Sequence, residues 1–186
     1  MRLKSGQRAP EFVAPDLAGR PIALTRYSGR KLLLTFYRAA VCPLCNVRTW
    51  HLINRYPMYR RAGLEVVAFF ETAPTRAHEY LDRLDAPFPI IPDLAHEVYD
   101  RYGLNTSLWG VLKARLMRGD VYREAAQRGI GARLAQNILG MDGRMGLMPA
   151  EFLIGEDGRI LVAHYGRDAG DFLLFSEIDY FLMAGG

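Results

Sequence analysis

Two continuous apolar runs organise the chain: KLLLTFY at 31–37 and LEVVAFF at 64–70. Unbroken runs of this length fit strands buried on both faces. Between them, Val47, Trp50 and Ile53 have the spacing of a helix over residues 43–61, with Pro57 expected to end or kink it. Residues 6–31 read as short extended pieces broken by Gly and Pro. TRAHEYLDRL (75–84) predicts a helix with Thr75 as its cap, FPII (88–91) a short strand, and HEVYDRYG (96–103) a short helix ending at glycine. Residues 104–147 break this rhythm. Leu108, Leu112 and Leu116 predict an amphipathic helix, followed by a second helix interrupted near Gly129 and Gly131. EFLIG and ILVAH then predict two strands around a tight Asp157-Gly158 turn, and residues 171–183 a closing amphipathic helix. Strands alternating with helices imply an α/β chain with a central, partly parallel sheet flanked by helices. The expected organisation is one domain over 1–186, with 104–147 as a helical insertion before the final hairpin.

Composition narrows the function classes. Half the residues are hydrophobic and 24% are charged, as in a globular chain with room for a core. The N-terminal MRLKSGQRAPEF has no apolar segment like that of a secretion signal, and no run has the length of a membrane span. The expectation is a cytoplasmic protein without a membrane partner. The net charge of +4 is carried almost wholly by arginine, with lysine only at 4, 31 and 113. The basic residues of 113–133 are spaced like solvated helix faces, so no nucleic-acid partner is expected.

The chemistry sits in TFYRAAVCPLCNVRTWHL (35–52), which holds both cysteines of the chain. Cys42 and Cys45 fall where an apolar strand hands over to a helix start, with Pro43 suited to the first helical position. Unpaired N–H groups and the helix dipole favour a thiolate there. The two-residue gap brings both sulfurs near one helical turn, as a disulfide requires. Two inert buried thiols are a poorer account of this junction. Zinc would need about four ligands, and His51, His78, His96 and His164 form no ligand-spaced pair. No metal and no cofactor is therefore expected. In a reducing compartment the pattern weighs toward redox work.

Three segments carry a resemblance: GQRAPEF…PDLAGRPIALTRYSGRKLLLTFY, FPIIPDLAHEVYDRYGL and PAEFLIGEDGRILVAHYG. Together they resemble peroxiredoxins of the alkyl hydroperoxide reductase C / thiol-specific antioxidant family. The last segment is also similar to membrane-anchored thioredoxin-like proteins. The resemblance covers about residues 3–103 and 147–184 and implies a thioredoxin fold with extra N-terminal strands. At the site the chain departs from the family's P-x-x-x-T/S-x-x-C. Cys45 falls on the peroxide-attacking cysteine, Cys42 replaces the Thr and Arg38 the Pro. Pro149 stands roughly where the family has an arginine, and resembles the cis-proline beside thioredoxin dithiols. FYRAAVCPLCNVRTWHL is similar to the C-P-x-C segments of a peroxiredoxin-like group.

The candidate site is Cys42, Cys45, Arg38 and Pro149. Arg38 either favours the thiolate or pairs with a surface acid. Trp50 is expected in the core and His51 as a packing residue or a proton donor. Glu151 is expected either solvated or as a proton shuttle, and Met141, Met145 and Met148 either as filling or as an adaptable apolar surface. The reading is a thiol–disulfide oxidoreductase in which Cys42 attacks and Cys45 resolves. Two alternatives stay open: a peroxidase with Cys45 attacking peroxide and Cys42 resolving, and a non-catalytic binding module using 104–147. Expected partners are a thiol or disulfide protein or a small thiol reductant; peroxide as substrate and a homodimer stay open.

Overall fold

Strand β3 (Lys31–Tyr37) is central to the architecture because residues on both of its faces are buried. In the computed structural model, which describes residues 1–129 and 142–184, it pairs in parallel with β4 (Leu64–Phe70) and antiparallel with β6 (Ala150–Ile154). With β5 (Ile90–Pro92) and β7 (Ile160–Tyr165) these form a five-stranded mixed sheet in the order β5-β4-β3-β6-β7. A separate antiparallel pair, β1 (Val13–Pro15) and β2 (Pro21–Ala23), supplies the expected N-terminal strands. Alternate side chains of β3 go to opposite faces. Leu33 and Tyr37 join one apolar cluster, and Leu32, Leu34 and Phe36 the other. Each such buried side chain stabilises the fold by about 1.5–3 kcal/mol relative to exposure.

Helix α1 (Pro43–Arg61) covers the first face with Leu52, Tyr56 and Tyr59, joined by α6 (Phe175–Ala184) through Ile178. Helix α3 (Glu97–Arg101) covers the second with Val98 and Tyr99. Pro57 neither ends nor breaks α1: it lies exposed inside the helix, and the buried Tyr56 and Tyr59 beside it hold the chain through the one missing amide. Helix α2 (Pro74–Leu81) starts one residue before Thr75, so Thr75 is not its cap. The polar partner there comes from across the chain, where Asp142 accepts from Thr72 Oγ1 at 2.8 Å and from the Ala73 amide at 2.6 Å.

Residues 104–147 contribute α4 (Leu108–Met117), capped by Ser107 Oγ accepting from the Gly110 amide, and α5 (Gly119–Gln127). The leucine stripe of α4 is turned outward. Leu108, Leu112 and Leu116 are 69%, 47% and 73% exposed, and the buried residues are Gly110 and Ala114. Small residues win the inner face because α4 crosses close to Met148: a Cβ on Gly110 would sit 2.6 Å from the Met148 sulfur. The expected continuation of the second helix through Gly131, and Met141 with it, lie outside the described residues. No described helix is long and apolar enough to cross a membrane.

Candidate active site

The loop after β3 leads directly into α1, and its geometry is set by one side chain. Asn46 donates from Nδ2 to the carbonyls of Ala40 (2.7 Å) and Cys42 (2.8 Å), and the Cys42 amide donates to Ala39 O at 2.9 Å. Cys42 is the N-cap of α1 and Pro43 its first residue, as the strand-to-helix pattern implied. Both thiols are free and buried. Cys42 as a residue keeps 4% exposure and Cys45 none, so neither thiol is open to solvent, and the exposed Cys42 thiolate expected of an attacking sulfur is not found.

The two sulfurs are electrostatically unequal. The Cys45 thiol donates to Cys42, and the Arg38 charge and the amides of Cys45 and Leu44 also favour its anion. Against the cost of burial, these hold Cys42 down to about 6. Burial, together with that same donated hydrogen bond, pushes Cys45 well above the ordinary thiol range. Arg38 is itself buried, at 7% exposure, so its surface reading does not hold. Its Nη1 points at the Cys42 sulfur at 4.0 Å and its Nη2 donates to Met145 O at 2.8 Å. It makes no carboxylate ion pair among the described residues, and a thiolate is the countercharge that offsets its burial.

Pro149 is buried at the head of β6, and its carbonyl accepts from the Gly166 amide at 2.8 Å. The residue before it, Met148, packs in the same apolar cluster as both cysteines. The expected cis Met148–Pro149 bond is absent: every peptide among the described residues is trans. The trans form is the intrinsically favoured one, and it leaves the Met148 amide bonded to Asn105 O at 2.9 Å and the Pro149 carbonyl to Gly166.

The neighbouring residues sort differently from their sequence readings. Glu151 is neither solvated nor adjacent to a thiol. It is fully buried opposite Thr35, and accepts from Thr35 Oγ1, from Arg48 Nε and Nη2, and from the Leu173 amide. His51 is engaged with Glu124 at 3.2 Å. Trp50 is only half-buried, and the Arg128 guanidinium lies 3.3 Å above its ring. Met148 is core, whereas Met145 is 70% exposed. The described part of residues 104–147 packs beside the cysteines: Ala114 shares their apolar cluster, with Val111, Val121 and Tyr122 packed against it. A cavity of about 520 Å³, lined by Ala40, Val41, Asn46, Trp50, Arg83 and Arg128 among others, opens beside the loop that carries Cys42. No cluster of three or more metal-ligating side chains occurs among the described residues. Sequence reasoning missed Asn46, whose signal was its position one helical turn after Cys42, and Arg48, whose partner lies 103 residues away.

The arrangement is thus a buried dithiol with one sulfur favoured as the thiolate, one guanidinium and an adjoining cavity. A model of the AhpC/TSA family matches residues 5–163. A putative peroxiredoxin of Mycobacterium tuberculosis is 27% identical over 168 residues, covering 90% of this chain and 88% of that protein. Peroxiredoxin Bcp of Escherichia coli is 29% identical over 108 residues, 58% of this chain and 67% of Bcp. Among solved structures, peroxidoxin BcpB of M. tuberculosis superposes with a TM-score of 0.68 at 16% identity, covering 100% of this chain and 99% of that one. A putative thiol:disulfide interchange protein DsbE of Chlorobium tepidum superposes at 0.64 and 19% identity, covering 98% and 97%. Those two likenesses show the fold, which is thioredoxin-like with peroxiredoxin-type N-terminal strands. That fold and a family match over most of the sequence lead to one assignment: the chain belongs to the AhpC/TSA family, as a peroxiredoxin-like, thiol-dependent oxidoreductase.

Proposed function

We propose that the protein works as a thiol–disulfide oxidoreductase in which Cys42 attacks and Cys45 resolves. The observation that carries this reading is the asymmetry of the dithiol, with Arg38 and the Cys45 thiol both directed at the Cys42 sulfur. The Cys42 thiolate attacks one sulfur of a partner disulfide, forming a mixed disulfide and releasing the other sulfur as a thiolate. Cys45 then gives up its proton and attacks Cys42. The Cys42–Cys45 disulfide closes, and the second partner thiol leaves carrying a proton. Two electrons pass to the partner, and a thiol reductant restores the dithiol. The cavity beside the Cys42 loop offers room for a partner segment or a small thiol, with Arg83 and Arg128 on its wall. The reducing chemistry suits a cytoplasmic setting.

Peroxide reduction is the second reading, and it is favoured by the peroxiredoxin names of the relatives. Cleaving a peroxide requires donors for the charge growing on the departing oxygen. The family's Thr position holds Cys42, its later Arg position holds Pro149, and Arg38 is the remaining cation, directed at Cys42 rather than Cys45. Cys45 as the attacking sulfur is further disfavoured because burial and the hydrogen bond it donates to Cys42 keep its thiol protonated. Rates of dithiol oxidation by hydrogen peroxide and by an oxidised disulfide decide between the readings. Exchange is expected to be faster, Cys42→Ser to abolish it, and Cys45→Ser to trap a mixed disulfide. A Cys42→Ser variant that still reacts rapidly with peroxide, while Cys45→Ser does not, overturns the assignment in favour of a Cys45 peroxidase.

A further inference from the structure

Glu71 lies just beyond β4, next to the end of the strand that leads to Arg38, and only 1% of it is exposed. A buried carboxylate is costly unless well partnered, yet this one is poorly served. Its Oε1 has no hydrogen-bond partner among the described residues. His96 Nδ1 lies 3.0 Å from that oxygen and Arg144 Nε 3.9 Å, but neither completes a hydrogen bond. Over it lies the segment by which the chain re-enters from the insertion. Gly143 packs so closely that a Cβ there would fall 2.8 Å from the Glu71 Cγ, Cδ and Oε2 atoms, and its φ is +89°. The carboxylate form of Glu71 is favoured by both the backbone and the side chain of Arg144. Two residues before it, Asp142 holds Thr72 Oγ1 and the Ala73 amide, just past Glu71. One residue after it, the Met145 carbonyl holds Arg38 Nη2 at 2.8 Å, while Arg38 Nη1 faces the Cys42 sulfur.

We infer that Glu71 is a positioning residue for the dithiol: its carboxylate fixes the 142–145 turn, and that turn fixes the Arg38 guanidinium against Cys42. This rests on the reading of Cys42 as the attacking thiolate. The groups facing Glu71 are Arg38 from the end of β3, Asp142 and Arg144 from the turn, and His96 and Tyr99 from α3 and its cap. Burial raises its carboxyl to about 7, against the pull of the Arg144 amide and charge and of Arg38. The turn is thus held by a group that changes charge near neutrality, in the range where Cys42 ionises.

The test follows the alkylation rate of Cys42 against pH in the reduced full-length chain. Arg38→Met is the reference and is expected to move the midpoint up by about one pH unit or more, the effect of losing an opposite charge at this range. Glu71→Ala is expected to move it in the same direction. The double variant should sit no higher than Arg38→Met alone, because both act through one guanidinium. Glu71→Gln, which keeps the side chain's size beneath Gly143, should stay near the parent. If Glu71→Ala does not fold, Gly143→Ala lifts the turn without deleting the acid and should raise the midpoint likewise. A folded Glu71→Ala or Gly143→Ala with an unmoved midpoint overturns the inference, as does an effect fully additive with Arg38→Met. If Arg38→Met itself leaves the midpoint unchanged, the assignment of the activated sulfur falls, and this inference with it.

Discussion

At the scale of single residues, the most consequential polar contact outside the dithiol is the pair Arg48–Glu151. Arg48 is 6% exposed and Glu151 not at all, and they meet through two hydrogen bonds of 3.0 and 2.8 Å. Arg48 also donates to the Leu173 carbonyl and lies 3.9 Å from the Phe175 ring centroid. One guanidinium therefore ties α1, which follows Cys42 and carries Cys45, to β6 and to the segment entering α6. Two charges removed from water gain little net stability as a pair, but removing one strands the other. Arg48→Met is expected to cost about 3–5 kcal/mol of unfolding free energy in urea, because the Glu151 carboxylate remains buried without its cation. The double replacement Arg48→Met/Glu151→Leu should recover most of that loss. A single variant as stable as the parent would mean that water reaches the carboxylate.

At the scale of elements, residues 104–147 are governed by how closely α4 approaches Met148, just before β6. Gly110→Ala would place a methyl 2.6 Å from the Met148 sulfur and 3.2 Å from the Arg167 carbonyl. The sulfur can swing away and the backbone oxygen cannot, so a loss of about 1–3 kcal/mol is expected, as for other overpacked sites. Gly119, in the first turn of α5, faces open space, and Gly119→Ala is expected to stabilise by about 0.4–1 kcal/mol by restricting the unfolded chain. Chemical denaturation of the two variants should shift in opposite directions; a shared direction would contradict the packing of the insertion. The same elements show what was legible in the sequence. β3 and β4 could be read because a strand buried on both faces is a near-continuous apolar run. The dithiol could be read because a strand–C-P-x-C–helix junction is a local pattern. The leucine stripe of α4 misled because Gly110 and Ala114, also four apart, form the face that fits against Met148, and close approach selects small residues over apolar ones. Arg48, Glu71 and Glu151 were illegible as a set. A buried charge is recognisable only through its partner, and these partners come from distant segments.

For the molecule as a whole, folding displaces two groups near neutral pH in opposite senses. Cys42 is held near 6 in the folded reduced chain, against 9.0 for an ordinary thiol, first by the hydrogen bond from Cys45 and also by Arg38. Between these values the unfolded chain binds more protons, so stability rises with pH; the gain is complete above 9 and is lost as pH falls through 6. Glu71 behaves inversely. Burial raises it from 4.5 to about 7, the folded chain binds more protons across that window, and stability falls as pH rises through it. The reduced protein should therefore pass through a shallow stability minimum between the two effects. The contributions are separable. Urea unfolding under reducing conditions at several pH values should show the parent gaining on Cys42→Ser as pH rises from 6 to 9, by a few kcal/mol in total. Closing the Cys42–Cys45 disulfide removes the titrating thiolate, so the oxidised parent should lose this rise. Cys42→Ser should keep the decline between 4.5 and 7, and adding Glu71→Gln should flatten it. Parallel curves for the reduced parent and Cys42→Ser would show that Cys42 ionises alike in the folded and unfolded chains, and the activated sulfur on which the exchange chemistry depends would be lost with it.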